Sequence, residues 1–230
     1  MKGFTDVHSH FLYGIDDGAQ TKAEMEGMLD AAYADGITSL FATPHVTPGV
    51  YPSDYALIRR RLTEARTYCH AKGYQLQVYS GAEIMFTPAL ERIAREGHLP
   101  TLADSANILL EFVPDISYQE MEAAIGMLMR SGYSVILAHI ERYDCLLHRK
   151  NAYRLKDRYG LRYQVNCNSV LQRKGFLRDR HLTVWLKSEI VDFVATDSHD
   201  THRRPPQMDA AYSALRQMYR KEYVDKLVGI

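Results

Sequence analysis

The sequence predicts an α/β barrel made of seven β-then-α units, one fewer than the standard eight. Three observations carry that expectation. Strand-like apolar runs alternate without a break with helical patterns along the 230 residues, which implies a parallel sheet covered by helices. Six of the seven strand candidates carry or lead directly into a His, Asp or Glu, as in a barrel whose strand ends share one functional mouth. Glycines stand where helices should stop, at Gly36, Gly73, Gly97, Gly132 and Gly160.

The elements follow in order. Strand 4–8 runs into Asp6-Val7-His8-Ser9-His10. Thr21 with Glu24 forms a capping box ahead of helix 22–35. Strand 37–43 delivers His45 and a long loop, 44–53, after which helix 54–72 is expected. Strand 76–82 leads to Glu83, and Thr87-Pro88 reads as an N-cap and first-turn proline for helix 88–96. Strand 107–113 contains Glu111, and Ser117 with Glu120 is a second capping box, opening helix 118–131. Strand 134–140 carries His139 and is followed by loop 141–148 and helix 149–159. Strand 162–167 ends in the turn Asn166-Cys167-Asn168-Ser169, before helix 179–189. Strand 192–196 leads to Asp197 and His199, loop 198–207 and a closing helix, 208–228. The three long loops all follow strands and so belong to the mouth. No linker, repeat or low-complexity stretch interrupts residues 1–230, which are expected to form one domain.

Composition narrows the class. Lys plus Arg, at 28, equals Asp plus Glu, at 28, which argues against a general nucleic-acid or membrane-surface binder. No run approaches the ~20 apolar residues of a membrane span, and the N-terminus lacks a signal-peptide core. Cys69, Cys145 and Cys167 lack CxxC spacing and read as reduced, cytosolic thiols. A cytoplasmic location is expected.

The strand ends carry the chemistry. His8 and His10 are two apart on a strand, so both imidazoles point to one side and can chelate one ion. Asp197 and His199 repeat this on the last strand, the first strand's neighbour in a closed barrel. Glu83 and Glu111 can bridge cations, and Glu111, between Leu110 and Phe112 in an apolar run, needs a partner for its buried charge. An HxH pair or a lone glutamate is weak by itself, and a lone histidine is more often structural. The set of eight, His8, His10, His45, Glu83, Glu111, His139, Asp197 and His199, is what points to metal. Imidazole with carboxylate and no thiolate suits Mn, with Fe or Zn as alternatives. The number of ligands suggests two or three ions, which at a spacing of ~3.5–4 Å can share a hydroxide and clamp a phosphoryl group. Arg142 and Arg204 lie in mouth loops, where a guanidinium fork matches phosphate oxygens. Their bland alternative is a local ion pair, such as Arg142 with Glu141 or Asp144. His70, His98, His148 and His181 read as mostly solvated, and His202 stays open because it lies close to the mouth.

The run Asp6–Ala19, with Thr43-Pro44-His45, Ser80–Ile84, Leu109–Phe112, Leu137–Tyr143 and Ala195–His199, closely resembles the polymerase-and-histidinol-phosphatase (PHP) superfamily. Gly14–Ala19 is similar to one branch, the manganese-dependent bacterial protein-tyrosine phosphatases of capsule and exopolysaccharide synthesis. The resemblance implies a distorted, TIM-barrel-like (β/α)7 barrel with three metals. His8, His10, Glu83 and Asp197 would hold the first ion, and Glu83, Glu111 and His139 the second. His45 and His199, helped by Asp17, would hold the third. Arg142 and Arg204 fall where that family has phosphate-facing arginines. Tyr13 departs from the family, which commonly has proline there, and so does the Asn166–Ser169 turn.

The function expected is hydrolysis of phosphotyrosine in a protein, with a bacterial tyrosine kinase as the partner implied. The alternatives are a small-molecule phosphatase such as one for histidinol phosphate, a metal-dependent nuclease, or a non-catalytic interaction module. The Gly14–Ala19 run weighs against the first, zero net charge against the second, and the complete ligand set against the third. No CxxxxxR loop supports cysteine-based phosphatase chemistry.

Overall fold

The computed structural model describes residues 2–50, 54–148, 150–172 and 176–230. The last part of the expected 44–53 loop and the first residue of the expected 149–159 helix lie outside them. Every strand pairing is parallel. One ladder runs β1 (Phe4–Ser9), β2 (Ile37–Ala42), then β4 (Gln77–Ser80). The other runs β3 (His45–Val46), β5 (Glu83–Met85), β6 (Asn107–Glu111), β7 (Ser134–Leu137), β8 (Arg162–Asn166) and β9 (Phe193–Ala195).

Two short strands appear beyond the strands expected at 37–43 and 76–82: β3 lies within the expected 44–53 loop, and β5 begins at Glu83. Pro44, which has no N–H to give a ladder, separates β2 from β3, and Gly81-Ala82 separates β4 from β5. At these steps Thr43 N donates to Ser9 O at 2.9 Å and Glu83 N to Pro44 O at 3.1 Å. The breaks turn β3 and β5 inward and set His45 beside Glu83 in register.

The seven strand segments meet at the mouth. Asp197 N donates to His8 O at 2.8 Å and His10 N to Ser198 O at 2.9 Å, flanking a parallel bridge between Ser9 and Ser198. Lower down, side chains take over the seam. Asp6 accepts from Thr196 N at 3.0 Å and Thr196 Oγ1 at 2.5 Å, while Thr5 N turns to Val228 O in the C-terminal tail at 2.8 Å. Burial pushes the Asp6 carboxyl up to about 6 despite these donors. This mixed closure is the distortion of the barrel.

Helices α1 (Lys22–Ala34), α2 (Tyr55–Ala71), α3 (Leu90–Arg95), α4 (Tyr118–Arg130), α5 (Asn151–Tyr159), α6 (Cys167–Leu171), α7 (Phe176–Lys187), α8 (Met208–Arg216) and α9 (Lys221–Leu227) follow their strands. The main core lies between strands and helices, with Leu40, Ile108, Leu110, Val135, Leu137 and Val194 against Met25, Leu29, Ile125 and Leu128. A smaller apolar cluster, Leu102, Leu109, Ile136 and Ala138, packs with Phe41 and Phe193.

Both capping boxes form as the sequence predicts. Other expectations need correction. Thr87 does not cap α3, whose N-cap is Ala89; its hydroxyl donates to Pro48 O at 2.6 Å. The Asn166–Ser169 turn is the start of α6. Strand 134–140 stops at Leu137, and 140–142 and 144–146 are 3-10 turns that bury Ile140 and Leu146, so 141–148 is not an open loop. Helix 179–189 is displaced to 176–187, and helix 208–228 is two helices, α8 and α9.

Candidate metal centre

The eight residues singled out at the strand ends converge on one mouth. Seven are buried, with Glu111 the most exposed of them at 7%; His45 is half-buried. His8 and His10 project from β1 and the residue after it. Their Nε2 atoms lie 3.1 Å apart. Each approaches Glu83 Oε2, at 3.0 and 3.3 Å, and Asp197 Oδ1, at 3.4 and 3.5 Å. Asp197 and His139 both have left-handed backbone, φ 50° and 32°, which non-glycine residues rarely adopt and which concentrates at functional sites. The bend aims each side chain across the mouth.

Three donor groups emerge, in each of which one donor atom per residue lies within 4.8 Å of the others. The first is His8, His10, Glu83 and Asp197, the set expected for one ion. The second is His45, Glu83 and Glu111, with His45 Nδ1 3.2 Å from Glu83 and 3.0 Å from Glu111. His139, expected here, stands at the edge of this group, its Nε2 2.7 Å from Glu83 Oε1 and 3.6 Å from Glu111 Oε2. The third joins His10, Asp17, His45 and His199. Asp17 Oδ1 is 3.5 Å from His45 Nε2 and 3.4 Å from His199 Nε2. His45 therefore faces two groups.

The tautomers suit cations. His8 Nδ1 bonds to Gln164 Oε1 at 3.2 Å, His10 Nδ1 to Asp16 Oδ2 at 2.7 Å, and His199 Nδ1 to Asp197 O at 3.0 Å. Each leaves Nε2 turned to the cluster, as outer partners of metal-bound histidines do. His199 Nε2 is buried with no hydrogen-bond partner. Burial and then His10 push this imidazole down to about 4, so at neutral pH it is uncharged. An imidazole lone pair facing the Asp17 carboxylate calls for a cation between them. The donors present thus fit divalent metal.

Electrostatics agree. Three acids, Glu83, Glu111 and Asp197, are buried around the same histidines, which is costly without positive charge. Burial opposes ionisation of Glu83, but His8, His10 and His139 hold its carboxyl well below the usual range. Burial likewise works against the His10 and His139 imidazoliums. Hydrogen bonds donated by His10 to Asp16 and Glu83, and by His139 to Glu111 and Glu83, outweigh it and push both up to about 9. Imidazolium protons stand where metal charge would act.

Arg142 and Arg204 both reach Asp197 Oδ2, at 2.6 and 2.8 Å, so Arg142 is turned into the site and not kept by its neighbour Glu141. Glu141 instead accepts from Asn166 N at 2.9 Å. Both arginine side chains remain partly exposed at the rim, 41% and 34%. His202 is exposed and joins none of the three groups.

Sequence reasoning missed the residues that orient the donors. Gln164, fully buried on β8, accepts from His139 N at 2.8 Å as well as from His8, and donates to Asn166 Oδ1 at 2.7 Å. Asn166 donates in turn to Asp197 Oδ2 at 2.6 Å. β8, which carries none of the eight donors and leads into none, therefore supplies bracing. Its signal was two amides at period 2, Gln164 and Asn166, on either side of Val165 in β8. Asp16 also accepts from His45 N at 3.0 Å and Gly18 N at 3.0 Å.

The sequence profile of the family described as capsular polysaccharide synthesis, CpsB/CapC, matches residues 4–229. The chain belongs to this CpsB/CapC family. It is 29% identical over 220 residues, 93% of this chain and 90% of the relative, to the tyrosine-protein phosphatase CpsB of Streptococcus pneumoniae. Among solved structures it superimposes with TM-score 0.86 and 27% identity on one from work on YwqE of Bacillus subtilis and CpsB of S. pneumoniae, described as metal-dependent tyrosine phosphatases. That match covers 97% of this chain and 90% of the other. A histidinol phosphate phosphatase of Lactococcus lactis superimposes at TM-score 0.60 with 13% identity over 93% of this chain and 92% of the other, a likeness of fold alone. The CpsB/CapC chain thus keeps, over nearly its whole length, the barrel of a metal-dependent phosphatase family.

Proposed function

We propose that this chain is a metal-dependent protein-tyrosine phosphatase acting in the cytoplasm on a phosphotyrosine protein, a bacterial tyrosine kinase of capsule or exopolysaccharide synthesis. The observation that carries it is the meeting of three donor groups and two guanidinium groups at one mouth, in a chain whose full-length relatives are named tyrosine-protein phosphatases. Divalent ions, Mn favoured by the oxygen and imidazole donors, supply Lewis-acid activation of water and neutralise phosphoryl charge when bound.

The chain's own residues do the rest. His8, His10, Glu83 and Asp197 would hold one ion; Glu83 and Glu111, with His45 and His139 at hand, a second; His10, His45, His199 and Asp17 a third. Gln164, Asp16 and Asn166 fix the orientation of these donors. Arg142 and Arg204, now paired with Asp197 Oδ2, are placed to turn their remaining N–H groups to the phosphoryl oxygens, where a fork of donors stabilises charge in the transition state. The tyrosinate leaving group, with pKa ≈ 10, leaves without a dedicated acid more readily than an alkoxide.

The decisive test compares phosphotyrosine peptide, histidinol phosphate and single-stranded DNA as substrates, with added Mn and after exhaustive chelation. Mn-dependent release of phosphate from the peptide in clear preference to the other two is expected. Turnover that survives chelation with metal absence verified, or a preference for either other substrate, overturns the proposal.

A further inference from the structure

The turn that brings Asp17 to the mouth is anchored on both sides. On its inner side Asp16 bonds to His10 and to His45 N, and the turn closes through Gly14 N donating to Ala19 O at 2.9 Å and Ala19 N to His10 O at 3.1 Å. On its outer side Tyr13 is gripped by α2. The Arg61 guanidinium lies 3.6 Å from the centre of the Tyr13 ring, and Arg61 Nη1 donates to the Tyr13 hydroxyl. That hydroxyl donates to Glu64 Oε2 at 2.8 Å, and Arg61 Nη1 donates to Glu64 Oε1 at 3.1 Å. The cluster is largely shielded, with the Arg61 side chain 18% and the Glu64 side chain 29% exposed. Gly14, at φ +66°, is the joint between this anchor and the turn.

The two sides have different consequences. Asp17 follows β1 and His45 begins β3, so two donors of the third group sit on separate segments of chain. The helix that follows His45 is α2, which holds Tyr13. The triad therefore ties the segment bearing Asp17 to the helix that follows His45. Asp17 has a side chain 66% exposed, and it approaches the imidazoles of His199 and His45 at 3.4 and 3.5 Å. Its position depends on the anchors of its turn, among them Gln20 Nε2 donating to Asp16 O at 2.8 Å and Gly18 O at 2.7 Å.

We propose that Tyr13, Arg61 and Glu64 form a positioning clamp that holds Asp17 at the third donor group and thereby sets the affinity for the third ion. The proposal rests on the metal reading of the centre. The clamp touches neither ion nor substrate. The other two donor groups draw His8, Glu83, Glu111 and Asp197 from outside the turn, and His10 and His45, shared with the third group, keep their own backbone places beside Ser198 and Glu83.

The test titrates Mn into metal-stripped wild type, Tyr13→Ala, Arg61→Ala and Tyr13→Phe, reading bound ions per chain by mass spectrometry. Circular dichroism melts run alongside. In both alanine variants we expect two ions bound as in wild type and the third weakened at least tenfold, with melts of the stripped proteins little changed. Tyr13→Phe keeps the ring under Arg61 and loses the bond to Glu64, so its third ion should fall between. Turnover at limiting Mn should drop in the alanine variants and return at excess Mn. A third ion bound with wild-type affinity in both alanine variants overturns the clamp. So does equal weakening of all ions together with a lowered melt, which marks a merely structural role. A wild type that takes up fewer than three ions removes the third group itself, an outcome separate from failure of the clamp.

Discussion

Asp197 is where most interactions of the mouth meet. One oxygen faces His8 and His10, and the other accepts from Arg142, Arg204 and Asn166. Burial opposes its charge, yet His8, His10 and Arg142 together keep the carboxyl below its usual range. The arrangement makes the arginine hypothesis sharp. In Arg142→Ala, Arg204 and Asn166 still hold Asp197, so the metals should stay bound. Loss of one charged transition-state contact should lower kcat/KM on an aryl phosphate by on the order of 10²-fold. Lysine should rescue only part, since it lacks the planar fork. Near-wild-type kcat/KM in fully metallated Arg142→Ala would show that the arginine merely braces Asp197. At this scale the sequence made the donors legible because ligand chemistry is a property of residue type. It hid Gln164 and Asp16, because an amide or a carboxylate becomes an orienting group only through the partner it meets.

At the scale of elements, local signals held where the partner was local. Thr21 with Glu24 and Ser117 with Glu120 cap their own helices within three residues. Thr87 has the same residue type, but Pro48 on another loop offers its carbonyl, and the hydroxyl goes there. Helix α8 shows the converse. Its N-cap, Gln207, makes no side-chain bond. Asp35, at the end of α1, accepts instead from Met208 N and from Asp209 N at 3.2 Å. This carboxylate therefore serves as an N-cap supplied from a distant segment. Asp35→Ala should cost about 1 kcal/mol of stability, the usual worth of an N-cap, and leave Mn stoichiometry unchanged. Urea unfolding with metal analysis decides this; an unchanged midpoint would mean that water replaces the carboxylate without loss. The break between α8 and α9 was equally hidden. No glycine or proline punctuates 217–220, and the turn lets Tyr223, Val224 and Leu227 bury themselves while the tail reaches β1 through Val228 O.

For the whole molecule, the metal centre links pH to stability. Without metal, His10 and His139 carry protons up to about 9, against 6.5 for an ordinary imidazole. Between those values the folded state binds more protons than the unfolded chain, so stability falls as pH rises. The contribution is complete below 6.5 and lost through about 9. Metal binding has the opposite dependence, because it needs those imidazoles deprotonated. The rise in melting temperature caused by Mn should therefore be larger at pH 9 than at pH 6.5. Thermal melts of stripped and loaded protein at both values test this, and an equal rise at both would remove the linkage.

The sequence by itself determined the β-then-α alternation, the mouth at the strand ends and the eight candidate donors, since periodicity, caps and ligand chemistry are written in residue type and spacing. The tertiary structure alone decided how those donors are shared. It set short strands after Pro44 and Gly81-Ala82 that turn His45 and Glu83 inward, gave His45 to two groups with His139 at the edge of one, and brought Arg142 and Arg204 onto one oxygen of Asp197. Those choices depend on distances between segments far apart in the chain, which hydrogen bonds across a closed barrel set and local sequence cannot.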